Sequence, residues 1–222
     1  MNLEGAVVGA RLSAGYLGGG LIVALLPALG LEALPVAPAV KHGIAGALAL
    51  GIVTAAGAGW ARAMGTRVTG CADSQRLAWA GGLAYGPAVI AIGAVLGATE
   101  PALVTRGAIL GAPIHIVFMA VFATAVFCVA SIAGAGVGVG LRDSGLAMRL
   151  AGAPGVAAAA AFLLVALVMD TAGWRVGAPN AAKRATMLTV TALGVLAAAA
   201  AGGAAIGILI AARRTAPKPE IP

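Results

Sequence analysis

Apolar residues along this chain gather into long runs, and charges gather between the runs. Residues 107–141 are the extreme case, passing without one Asp, Glu, Lys or Arg. A helix needs roughly 20 apolar residues to cross a bilayer, so the pattern predicts membrane spans. Six are predicted, over residues 12–31, 43–61, 77–99, 112–135, 150–169 and 185–212, with five as the competing count. The expected fold is all-α, a polytopic transmembrane bundle of six helices forming one domain over residues 1–212. Residues 213–222, with three cations and three prolines, read as a disordered cytoplasmic tail.

Local signals refine the picture. Pro27 should kink the first span. Pro35 and Pro38 favour an extended exit loop. Trp60 with Arg62, and Trp79 across the loop, look like interfacial aromatics and a headgroup anchor. Gly51 with Ala55, Gly93 with Gly97, and Gly203 with Gly207 have the small-xxx-small spacing that lets helix backbones approach closely. Residues 134–140 alternate Gly with Ala or Val, which suits a helix end packed on a neighbour or an irregular segment. The first run is too long for a cleavable signal core and reads as a retained helix.

Composition excludes a soluble fold. The chain is 61% hydrophobic and only 9% charged, against about 25% charged in soluble domains. A soluble protein with this surface would aggregate. The net charge of +7 would suggest nucleic acid in a soluble protein. Here the cations sit between apolar runs, where they report topology and contact anionic lipid headgroups, so nucleic acid is excluded as a partner. With the N-terminus inside, nine cations fall on the inner side: Arg11, Arg62, Arg67, Arg76, Arg142, Arg149, Arg213, Arg214 and Lys218. Five fall outside: Lys41, Arg106, Arg175, Lys183 and Arg184. The excess places both termini in the cytoplasm. Composition points to a bacterial cytoplasmic membrane.

Two loops echo one another. Gly65-Thr66-Arg67-Val68 is followed after seven residues by Arg76, and Gly173-Trp174-Arg175-Val176 after seven residues by Arg184. The copies lie about half the chain apart, each between the second and third helix of its half. They suggest repeats over residues 12–99 and 107–212. Three helices is an odd number, so the second unit would be inverted, as in transporters with a site between halves. The alternative is chance in a chain rich in Ala and Gly.

Groups able to carry chemistry are scarce. All Asp and Glu lie at span ends or between spans, which counts against a pump built on buried carboxylates and against a metal transporter. No cofactor or metal is expected. Two cysteines, Cys71 between spans and Cys128 within one, make no disulfide framework. The candidates for substrate binding are His115, near the start of the fourth span; Tyr85, with Gly81, Gly82 and Gly86 around it; and Arg76 and Arg184, at equivalent places in the echoed loops. Each has a plainer structural role open to it, as a helix-bonded histidine, a packed ring or headgroup anchors. No catalytic motif is present, and the chain is expected not to be an enzyme. Two functions are expected: a small-solute transporter or channel with a site between three-helix halves, or a non-catalytic membrane subunit that packs against larger partners. Partners would be membrane lipid and other membrane subunits or further copies of the chain.

Overall fold

The computed structural model describes residues 3–31, 35–70, 74–109, 114–172 and 181–215. They form helices α1 (Leu3–Ser13), α2 (Gly19–Leu31), α3 (Pro38–Met64), α4 (Ser74–Ile109), α5 (Ile114–Gly140), α6 (Ser144–Thr171) and α7 (Ala181–Thr215). A wide π turn, Ala14–Gly18, joins α1 to α2, and a second, Gly65–Thr69, ends α3. Six stretches are long and apolar enough to cross a membrane: Leu3–Pro27, Pro38–Val68, Gln75–Leu96, Met119–Gly140, Ser144–Thr171 and Thr189–Arg213. The protein is a multi-pass membrane protein with an all-α six-span bundle. Helices suit hydrocarbon because each satisfies its own backbone.

The first span begins at Leu3, well before the expected start, so Glu4 and Arg11 lie inside it. Glu4 in the first turn complements the dipole of the first span. Arg11 is exposed, and a long arginine stem lets its head reach the interface. Pro27 lies inside α2, while the departure from regular α geometry comes earlier, at the π turn. At the C-terminal end, α7 continues through Thr215; residues 216–222 lie outside the described residues.

The spans close into a ring. Each packs on its sequence neighbour, α2 on α3, then α3 on α4, α4 on α5, α5 on α6 and α6 on α7, and α1 closes the circle against α7. The two three-span halves therefore meet at two seams, α4 with α5 and α7 with α1.

Glycines set the closeness of the seams. Between α1 and α7, a Cβ added at Gly203 would collide with Ser13 Oγ and the Gly9 carbonyl, and one at Gly207 with the Gly5 carbonyl. The expected Gly203/Gly207 motif is thus a real interface. Residues 134–140 are helix throughout, and their alternation has a geometric reading. Gly134 and Gly138 meet Leu150 and Ala147 of α6, while Gly136 and Gly140 meet Ala80, Ala84 and Leu77 of α4. On a helix, residues four apart share a face, so the alternating pattern makes two smooth faces and wedges α5 between its neighbours. Gly51 and Gly93 differ: nothing would meet a Cβ at either, so these two do not mediate helix contact.

Trp60 corrects a second expectation. It is no interfacial anchor but wholly buried, its indole Nε1 donating to Ser13 Oγ across 2.7 Å. An interior indole needs an acceptor, and Ser13 supplies it from the facing helix. Trp79 remains exposed, as the interfacial reading requires.

Candidate functional site

The bundle holds a cavity between its halves, and a separate hollow of about 310 Å³ lies beside Asp143, Arg149 and Arg213. At the end that carries the chain termini, α5 passes to α6 in a tight turn. The amides of Arg142 and Asp143 reach back to the carbonyls of Val139 (3.0 Å) and Gly138 (3.2 Å), the bonding of a helix-ending Schellman motif. Asp143 then caps α6, accepting from the Leu146 amide at 2.8 Å, and pairs with Arg213 of α7. That cap, then the Arg213 charge, hold the Asp143 carboxyl below the ordinary carboxylate range against an opposing burial effect. Arg76 of α4 extends toward the Val139 carbonyl at 3.4 Å. Four spans are tied together here by polar contacts, and the glycine seams lie just beneath.

Deeper in, the Tyr85 hydroxyl donates to the Leu17 carbonyl at 2.8 Å. Leu17 belongs to the first π turn. Tyr85 stands about 16 Å along α4 from Ser74, near the middle of a membrane. Its Cβ packs on Gly57 of α3, and the side chain is buried. Gly57 and Gly81, with Gly82 and Gly86 against Thr54, provide the close approach of α3 to α4 there.

Above Tyr85 the helices separate around a cavity of about 330 Å³. Leu17, Leu21 and Leu25 line it from the first span; Tyr85, Val89, Ile92, Gly93 and Leu96 from α4. The second half contributes Phe122, Ala125, Val126, Val129, Ala130 and Ala133 of α5, Ala158 of α6, and Val195, Ala198 and Ala199 of α7. The cavity thus lies between the halves and rises from mid-membrane toward the side opposite the termini. Its α5–α6 wall is stiffened by a second core, where Phe122 and Phe162 stack at 6.3 Å between centroids. Gly93, which holds no helix, faces this space.

Among these lining residues Tyr85 alone has a polar side-chain atom, and its hydroxyl is already bonded to Leu17. A bare polar group brought here would lose water without replacement, at roughly 2–7 kcal/mol. The chamber can shelter apolar matter and repel ions.

Comparison with known protein families, with curated proteins and with solved structures finds no match.

Of the residues singled out from the sequence, Tyr85 forms the floor of the cavity. Arg76 lies at the end that carries the termini, on the other side of that floor, against the end of α5. The two are not brought together. His115 falls in the first turn of α5 and Arg184 in that of α7; the side chains of both lie outside the described residues, as does the second copy of the echoed loop between spans. Among the described residues no cluster of His, Cys, Asp and Glu could hold a metal. The sequence reading missed the walls, Val89, Val129 and Val195 among them. Lipid-facing and cavity-facing residues are equally apolar, so no sequence signal separates them.

Proposed function

We propose that this protein is a carrier that takes a small solute into the space between its two three-span halves. One observation carries the reading: a cavity lined from both halves that stops at mid-membrane on Tyr85 and Leu17, with tightly packed helices beneath. A hollow lined from both halves and floored at mid-membrane suits one state of an alternating-access carrier. Release to the other side would need α1 to part from α7, where Ser13 and Gly203 touch. The chain does its work without catalysis, in a bacterial cytoplasmic membrane with both termini in the cytoplasm, as the cation distribution favours.

The test is flux. Purified protein in liposomes should move at least one of a panel of labelled small solutes faster than protein-free vesicles do, and Val129→Phe, which fills the cavity, should slow that flux about tenfold. Transport equal to that of empty vesicles across the panel would end the carrier reading.

A second reading has its own support. A groove of about 580 Å³ runs between α3 and α4, lined by Ala47, Gly51, Ala55 and Gly82, with Trp79 and Leu83 on its lips. Small residues in a groove suit a neighbouring transmembrane helix. A membrane subunit that seats a partner helix there would retain that partner through purification in mild detergent.

A further inference from the structure

We infer that the chamber between the halves is a binding site for a hydrocarbon chain of about a dozen carbons, carried by an amphiphile whose polar head stays outside the rim. The inference rests on the carrier reading for its use, but the site stands on its own geometry. Three observations support it.

The first is chemistry. The lining is hydrocarbon but for the Tyr85 ring, whose hydroxyl already donates to Leu17 at 2.8 Å. No described lining side chain offers a free polar atom to a sugar, an amino acid or an ion. The second is size. An apolar cavity of about 150 Å³ admits benzene, six carbons. The volume here, about 330 Å³, is roughly twice that. The third is shape. The space runs from Leu17 and Tyr85 at its floor to Leu25 and Leu96 at its rim, with about two turns of the first span separating Leu17 from Leu25. That length of about 12 Å suits an elongated chain entered tail first. A head group could not follow it past Val89 without leaving water.

The occupant could be a free medium-chain amphiphile or one acyl chain of a bilayer lipid. Both present the same chain to the same walls, so the experiment separates them.

Full-length protein in nanodiscs is irradiated with dodecanol bearing a terminal diazirine, and labelled residues are mapped by mass spectrometry. Saturable labelling is expected at Val89, Val129 and Val195, reduced at least tenfold by excess plain dodecanol and unaffected by glycerol. Exposed Leu83 and Leu164 should be labelled in proportion to probe, with no competition. Val129→Phe and Ala125→Phe should each cut the saturable signal at least fivefold while leaving surface labelling alone. If neither variant folds, competition in the wild-type protein decides by itself. A second arm places the diazirine on the acyl chain of a phospholipid. Lining labels from that probe that resist dodecanol identify bilayer lipid as the source, whereas labels displaced by dodecanol identify the free amphiphile. Lining labels no more saturable than those at Leu83, in both arms, would overturn the inference. Flux of a polar solute without saturable labelling would sink this site and spare the carrier. Saturable labelling with no flux would leave the site standing and remove the carrier.

Discussion

Trp60 and Ser13 lie 47 residues apart in sequence and share one hydrogen bond of 2.7 Å at zero exposure for both. The bond joins the first span to the second, and Ser13 Oγ also fills the notch left by Gly203 on α7. Three spans therefore converge on one hydroxyl. A double-mutant cycle of Ser13→Ala and Trp60→Phe should return a coupling of about 0.6 kcal/mol and at most about 1.7, the range for polar pairs between membrane helices. Reversible unfolding in mixed detergent micelles is the measurement. Zero coupling would mean that the indole finds another acceptor.

Gly203→Ala should destabilise the protein by about 1–3 kcal/mol, the usual cost of overpacking. The new methyl meets Ser13 Oγ and the Gly9 carbonyl, and backbone cannot swing aside. Gly46→Ala in α3, where nothing lies within 4 Å, is the control and should be neutral or mildly stabilising through helix propensity. Thermal midpoints of the two variants in one detergent should move in opposite directions or differ by several degrees.

Arg142 occupies the left-handed conformation, with φ of 56°, at the helix-ending position where glycine is the usual residue. A residue with a Cβ pays roughly 1–2 kcal/mol there. Arg142→Gly should raise stability by about 1 kcal/mol. The variant also removes one inner-side cation, so its topology should be checked by a reporter fused after Thr215. A lower midpoint with topology unchanged would show that the arginine makes a compensating contact.

Asp143 makes stability depend on pH. Its folded carboxyl is held below the ordinary value by the Leu146 amide first and Arg213 after it, with burial opposing. A carboxyl depressed on folding stabilises fully above its unfolded value of about 3.9. The contribution is lost as pH falls through the lower, folded value. Asparagine caps helices as well as aspartate, so Asp143→Asn isolates the charge. The difference in midpoint between wild type and Asp143→Asn should be flat from neutral pH down to about 5 and close below about 4. A difference that persists in acid would assign the effect to the geometry of the cap instead of the charge.

Ser131 Oγ is buried with no hydrogen-bond partner, beside the site where Gly155 lacks a side chain. An unmade hydrogen bond in the interior costs about 1–3 kcal/mol. Ser131→Ala should therefore be neutral or stabilising by up to about 1 kcal/mol in the same unfolding assay. Marked destabilisation would show that the hydroxyl is bonded in the membrane, for instance back to its own helix.

What the sequence determined by itself is the number of crossings and their medium. Charges at Lys41, Arg76, Asp143 and Asp170 cannot enter hydrocarbon cheaply, so they partition the chain into spans whatever the packing. The Gly203/Gly207 spacing was also visible, but the same spacing begins at Gly51 and Gly93, where a Cβ would meet nothing. Neither the ring order nor the hollow was written in this way. In a soluble helix one face is polar, and the contrast shows which side is inside. In lipid both faces are apolar, so Val89 toward the cavity and Leu83 toward lipid look alike, and Gly93 looks like Gly203. Tertiary structure alone decided that Trp60 turns inward to Ser13, that Arg76 faces the end of α5, and that Tyr85 closes a chamber between the halves. Each depends on which helix stands opposite, and only the assembled ring supplies that neighbour.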